Sequence, residues 1–271
     1  MKKIIYDLGA SKGENLDYYL LKSDLVICVE ANPSNCEKII NKYKKEILNK
    51  RIIVENCIIG VDENLSYNDF YIHNNNYLLG QFPIPEDDNL EYFKKIRVSY
   101  KNINEIFKKY GPAHYIKIDL ENYDETILQK IFDEKIFFDY LSYEIKNIDN
   151  LNLFSKYFDN LAFKIVDGHN IKYNYSNHKI NLKNYKLKFK FDPNSAGPFG
   201  NDIEGKWINK NDFYNLLKFK LKYSGWYDIH FSKIDKSEDI SNLNRIIRFE
   251  KNNMFKVKIK KKIERILKKF S

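Results

Sequence analysis

Asp7, Gly9, Gly13 and Glu30 are the residues of this chain best spaced to hold a small molecule. The first three lie in Asp7-Leu8-Gly9-Ala10-Ser11-Lys12-Gly13, at the end of a strand-like run, and Glu30 closes the next such run. Gly9 lets the backbone turn sharply at a strand end, and Gly13 lets a helix approach a ligand with no Cβ in the way. A carboxylate closing the second strand can accept two hydrogen bonds from a ribose diol. The pattern implies an adenosine-bearing cofactor. Its expected contacts are Asp7, Gly9, Ser11, Gly13, Glu30, Asn32, Cys57, Ile58 and Asp119, because ligands of open α/β sheets sit beyond the carboxyl ends of the strands, at the switch point.

Three ligand chemistries compete for such a loop. A dinucleotide site wants G-x-G-x-x-G, and here the residues between the glycines are Ala10, Ser11 and Lys12. A P-loop needs Gly-Lys-Ser/Thr, and Gly13 is followed by Glu14, which would repel a phosphate at a helix start. An ammonium group is welcome beside the same acid, which leaves S-adenosylmethionine, with S-adenosylhomocysteine as its product. The bland alternative is a tight turn without a ligand.

A second cluster stands in Tyr115-Ile116-Lys117-Ile118-Asp119-Leu120-Glu121-Asn122-Tyr123-Asp124-Glu125, an apolar run that ends in four acids. Asp124 and Glu125 suit a helix N-terminus. Asp119 and Glu121, at the strand end, can face a cofactor ammonium or an acceptor hydroxyl. Methyl transfer to a hydroxyl needs a positioned base or a metal, since a neutral alcohol is a weak nucleophile. The catalytic candidates are Asp119, Glu121 and His169, the last in Asp167-Gly168-His169-Asn170 after an apolar run. His114 reads as structural, and His73, His178 and His230 have no partner pattern. Asp119, Glu121 and Glu144 are hard ligands that could take magnesium, but their spacing is unspecific, so no metal ligand is assigned.

The elements that must position these residues alternate in βαβ fashion. Strands are expected at Lys3 to Asp7, Leu25 to Glu30, Arg51 to Ile59, Tyr115 to Leu120 and Phe138 to Ile145. Ser11, with Glu14 three residues on, predicts a capping box for a helix reaching Leu21. Further helices are expected from Pro33 to Ile47, Ile103 to Tyr110 and Thr126 to Phe132. Residues 61–98 fit the rhythm poorly and predict a strand at Tyr67 to His73 followed by a long loop. Beyond Val166 the reading is a helix at Asp212 to Lys222 and late strands at Trp226 to Ser232 and Arg245 to Phe249. Asp192 to Trp207, dense in turn residues, is expected to be a mobile cap with Phe199 exposed.

In Tyr6-Asp7-Leu8-Gly9-Ala10-Ser11-Lys12-Gly13, Val29-Glu30-Ala31-Asn32-Pro33 and Ile116-Lys117-Ile118-Asp119-Leu120-Glu121, the chain resembles the FkbM-type methyltransferases among class I S-adenosylmethionine enzymes. The resemblance covers about residues 3–145. It implies an α/β, Rossmann-like seven-stranded methyltransferase sheet, mostly parallel with helices on both faces. It also implies O-methylation of a hydroxyl, often on a sugar, here in capsule or lipopolysaccharide biosynthesis. Asn122 stands where the family usually has Gly. A non-catalytic scaffold that retains the fold is the rival from another class.

With 271 residues, the chain suits one methyltransferase domain over 1–250, with a core at 3–170 and a loop-rich acceptor-side cap at about 171–225, and a basic tail at 251–271. The formal net charge is +9. Residues 251–271 hold nine Lys or Arg against Glu264, which leaves the body at +1. Phe255, Val257, Ile259, Ile263, Ile266, Leu267 and Phe270 lie among those lysines, and such a helix can rest on an anionic membrane. A small-molecule or nucleotide-linked sugar acceptor is expected and a nucleic acid is not, since no RNA-binding module is recognisable. No signal-peptide h-region follows Met1-Lys2-Lys3, so the expected location is the cytoplasm, with peripheral contact at the inner membrane face. Cys28, Cys36 and Cys57 lack CxxC spacing and read as buried thiols.

Overall fold

The computed structural model describes residues 2–145, 148–182, 184–222, 226–238 and 243–267. The chain forms two compact units, Met1–Glu144 and Ile145–Ser271.

The first unit opens with strand β1 (Ile4–Leu8), helix α1 (Leu16–Lys22), strand β2 (Leu25–Glu30), helices α2 (Pro33–Lys42) and α3 (Lys44–Leu48) and strand β3 (Ile52–Asn56). Strands β4 (Ile58–Gly60), β5 (Tyr67–His73) and β6 (Phe93–Asn102) follow. Helix α4 (Ile103–Tyr110), strand β7 (Ala113–Ile118), helix α5 (Asp124–Asp133) and strand β8 (Phe138–Ile145) complete it. Every residue of β1 and β2 is buried, as expected for parallel strands covered on both faces. β1 pairs in parallel with β2 and with β7, β2 with β3, and β7 with β8. The chain therefore works outward from β1 in one direction and later in the other, and the switch point falls between β1 and β7. Helix α2 starts where the sequence placed it, with Pro33 in its first turn and the Asn32 side chain accepting from the Ser34 N–H at 3.0 Å.

Three expectations need correction here. Ser11 does not cap α1: its φ is +48°, and the helix begins at Leu16 behind Asn15. The run from Arg51 to Ile59 is not one strand. It breaks at Cys57, and β4 leaves β3 to pair with β6 in a three-stranded sheet of order β4-β6-β5. The expected long loop after His73 ends at Phe93, where the ten-residue β6 begins and runs antiparallel to β5. Ile58, Phe70, Val98 and Tyr100 form the core of this small sheet. Its alternating pattern, with Lys94, Lys95 and Arg97 among apolar residues, is that of a half-solvated strand.

The second unit contains helix α6 (Ile148–Leu153), strand β9 (Ala162–Asp167), helix α7 (Ile171–Asn174) and the antiparallel pair β10 (Lys179–Asn181) and β11 (Lys186–Lys188). Helix α8 (Lys210–Leu221), strand β12 (Tyr227–Ser232) and helix α9 (Leu243–Leu267) follow. β12 runs antiparallel to β9, and Phe158, Phe163, Phe213 and Phe231 pack their rings around that pair. The fold is α/β, with a mostly parallel seven-stranded sheet of order β3-β2-β1-β7-β8-β12-β9.

Arg245 to Phe249 is helical, not a strand, because it belongs to the continuous 25-residue α9. The expected mobile cap at Asp192 to Trp207 is loop-rich but packed: Phe199 is 2% exposed, and Ser195, Ala196, Ile203 and Trp207 are buried with it. Turn residues there serve a buried irregular segment, tied by Ser195 Oγ donating to the Asp192 carbonyl at 2.8 Å. Phe270, grouped above with the apolar residues of the tail, lies outside the described residues, as do the side chains of Ile266 and Leu267. No described helix is long and apolar enough to cross a membrane.

Candidate functional site

The carboxyl ends of β1, β2, β7 and β8 bring together Asp7, Glu30, Asp119, Glu121 and Glu144. Asp7 is fully buried, and no hydrogen bond of ordinary geometry reaches either carboxylate oxygen, although the neighbouring Asn15 side chain favours its charged form. Register places Lys117 of β7 beside it, with Nζ at 3.7 Å from Asp7 and 2.7 Å from Asp119 Oδ2. Burial pushes the Asp7 carboxyl up to about 6, against the pull of Lys117.

Gly9 is held by the fold. Its φ is +85°, its N–H donates to the Val29 carbonyl at 2.9 Å, and a Cβ there would lie 1.8 Å from the Asp119 carbonyl oxygen. The Asp119 N–H in turn donates to the Leu8 carbonyl at 2.9 Å, so the loops after β1 and β7 are locked together. Gly13, φ +84°, has a different role from the one expected. A Cβ on it would point at Leu16 and Ile39 side chains, towards the core, and the need is for its backbone conformation.

Glu30 is buried and accepts from two backbone amides: Ser11 N–H on Oε2 and Asn32 N–H on Oε1, each at 2.7 Å. It fixes the shape of the loop, and the Asn35 side chain hydrogen-bonds the same carboxyl. Burial raises its carboxyl to about 7, although the two amides pull it down. Asn32 is spent on capping α2. Cys57 is buried between β3 and β4, its thiol pushed up to about 12 by burial, and Ile58 belongs to the small sheet's core.

Glu121 and Asn122 take φ of +44° and +70°. The second value answers the departure at Asn122: Asn tolerates the left-handed region best among residues with a side chain, so the turn forms without Gly. Asp124 Oδ1 accepts from the Leu120 N–H at 2.9 Å, so Asp124 shapes this loop while opening α5. One carboxylate oxygen from each of Asp119, Glu121 and Glu144 lies within 4.8 Å of the others, a span that a divalent cation could bridge.

Sequence reasoning missed Lys117 and Tyr77. A lysine in mid-strand between Ile116 and Ile118 was the signal for the first. Tyr77 had none. From the β5–β6 connection its ring takes Lys12 Nζ at 2.8 Å from the centroid, its hydroxyl donates to Glu14 Oε1 at 3.3 Å, and nearby Gln81 accepts from Asn122 Nδ2 at 3.1 Å. That connection thus fastens to the loops after both β1 and β7.

His169 lies exposed on a turn of the second unit, edge-on to Trp226. His114 Nδ1 pairs with Asp139 at 2.8 Å, a structural use. His230 is buried, and burial holds it down at about 3.

No protein-family model and no curated protein matches the chain. Among solved structures it is similar to M. capricolum TrmK in complex with S-adenosylhomocysteine, at 11% identity and TM-score 0.38, over 89% of this chain and 68% of that one. It is also similar to a Bacillus cereus O-methyltransferase in complex with S-adenosylhomocysteine, at 7% identity and TM-score 0.38, over 86% and 74%. A third is precorrin-6y C5,15-methyltransferase from Geobacter metallireducens, at 11% and 0.37, over 86% and 80%. Likenesses this distant carry no argument about substrate or individual residues.

Proposed function

We propose that the chain is an S-adenosylmethionine-dependent methyltransferase of the FkbM type that acts on a hydroxyl, with a sugar as acceptor in the assembly of bacterial capsule or lipopolysaccharide. The observation that supports it most is Asp7: a fully buried carboxylate that no hydrogen bond of ordinary geometry reaches, with the Lys117 ammonium 3.7 Å away, at the switch point, beside a glycine whose Cβ position is closed by backbone. A buried acid left this way is costly unless a ligand meets it. The carboxylates of Asp7, Glu30, Asp119, Glu121 and Glu144 outweigh the ammonium of Lys117, so the site favours a cationic ligand.

The cofactor, when bound, supplies an electrophilic methyl on a sulfonium. Asp7 and Glu30 would hold its ammonium and ribose ends, and the Gly9–Gly13 loop would give it backbone to lie against. Lys117 ties Asp119 down and makes it a positioning group. Glu121, raised on its left-handed turn, is assigned as the base that takes the acceptor proton.

Calorimetric titration with S-adenosylhomocysteine tests the cofactor. Absence of binding at millimolar ligand would sink the reading and leave the scaffold alternative. Transfer of labelled methyl to a panel of nucleotide-linked sugars tests the acceptor.

A further inference from the structure

Helix α9 is docked on one side and carries an apolar stripe on the other. Its docked side is tied to α7: Glu264 pairs with Lys172 and accepts from the Tyr173 hydroxyl at 2.6 Å, and Lys260 Nζ donates to the Tyr173 carbonyl at 3.0 Å. Val257 on this side is 9% exposed. Phe255, Ile259 and Ile263, spaced four apart, are 64%, 42% and 51% exposed. At about 100° per residue, Ile259 lies roughly 160° round the helix from Val257, so the stripe faces away from the docked side. Exposed Lys251, Lys258 and Lys262 flank it on one edge, and Lys256 on the other.

We propose that this face of α9 binds the surface of an anionic lipid bilayer. Phe255, Ile259 and Ile263 would enter the headgroup region while the flanking lysines meet lipid phosphates and carboxylates. The charge speaks for that occupant: residues 251–267 carry seven Lys or Arg against the acid Glu264, on a body near neutrality. A second copy of the same face would be repelled by its own lysines. A nucleic acid would use the lysines and leave three large apolar side chains without a role.

The test is flotation of the full chain with vesicles of phosphatidylcholine alone or with 30% phosphatidylserine. Binding at least tenfold stronger to the anionic vesicles, and falling when salt rises from 0.1 to 0.5 M, is expected. The triple variant Phe255→Ser, Ile259→Ser, Ile263→Ser should lose at least tenfold in vesicle binding with its melting temperature and S-adenosylhomocysteine binding unchanged. Lys256→Gln, Lys258→Gln and Lys262→Gln together should remove the preference for anionic lipid. Absence of anionic vesicle binding, vesicle binding by the Ser variant equal to wild type, or a Gln variant that keeps the full preference would overturn the proposal. Tight binding of a single-stranded RNA oligonucleotide that the Ser variant retains, with no vesicle binding by either protein, would overturn it in favour of a nucleic-acid face.

Discussion

The carbonyl oxygen of Asp119 stands 1.8 Å from the place a Cβ on Gly9 would occupy. Two loops that are far apart in sequence are thereby pressed together where the proposed cofactor would lie, and the two glycines of the loop become separable by experiment. Gly9→Ala must push the backbone of Asp119 aside as well as bear a left-handed φ. It should destabilise by about 3 kcal/mol or more and abolish S-adenosylhomocysteine binding. Gly13→Ala meets the Leu16 and Ile39 side chains rather than backbone and should cost about 1–2 kcal/mol with binding retained. Denaturant melts and calorimetry read both; equal losses of binding would contradict the distinction.

Burial holds Asp7 at about 6 and Glu30 at about 7, above their ordinary values of 3.8 and 4.5. The folded, ligand-free chain therefore keeps protons that the unfolded chain releases. The stability these groups contribute is full below the lower unfolded value of 3.8 and is lost as pH rises through about 6 to 7. A cationic ligand favours the ionised forms, so S-adenosylmethionine affinity should increase from pH 5 to pH 8 with proton release on binding. Titrations in buffers of different ionisation enthalpy measure that release, and an affinity flat with pH would refute it.

Glu121→Gln removes a proton acceptor without changing shape. Turnover should fall about 100-fold or more, with S-adenosylhomocysteine affinity within about threefold of wild type. Equal turnover would move the base elsewhere.

Tyr77→Ala frees Lys12 and Glu14 from the β5–β6 connection. Losing a cation–π contact of about 0.5–1 kcal/mol should raise amide exchange across Ala10–Gly13 by about two- to fivefold, with global stability nearly constant. Hydrogen exchange by mass spectrometry reads this, and unchanged protection would show that the clasp does not steady the loop.

Phe199→Ala should destabilise by about 3–5 kcal/mol, because the ring is buried in the second unit. A loss below about 1 kcal/mol in urea melts would restore the mobile-cap expectation.

The sequence spoke clearly where burial and period agreed. Leu25–Glu30 and Phe138–Ile145 are apolar runs of strand length, and Ile103–Tyr110 is bounded by Asn102 and Gly111; all three have the expected limits. Failures came where a local signal was outweighed by tertiary structure. Ser11 and Glu14 have the spacing of a capping box, yet Glu30 holds the Ser11 amide and turns the backbone left-handed. Strand β6 was hidden because its basic residues read as loop until β5 supplied a partner. At the site, the Asp7, Gly9 and Glu30 constellation was legible, whereas the Lys117 bridge needed the β1–β7 register and the Tyr77 clasp depends on a contact 63 residues from Glu14.

Because Glu30 already grips the amides of Ser11 and Asn32, the loop after β1 has its shape before any ligand arrives. Association then has little chain to order, and its entropic toll falls on the small molecule alone. Arrival of the cofactor should follow a single concentration-dependent phase with no slow rearrangement behind it, and differences in affinity among loop variants should be written in how long the ligand stays.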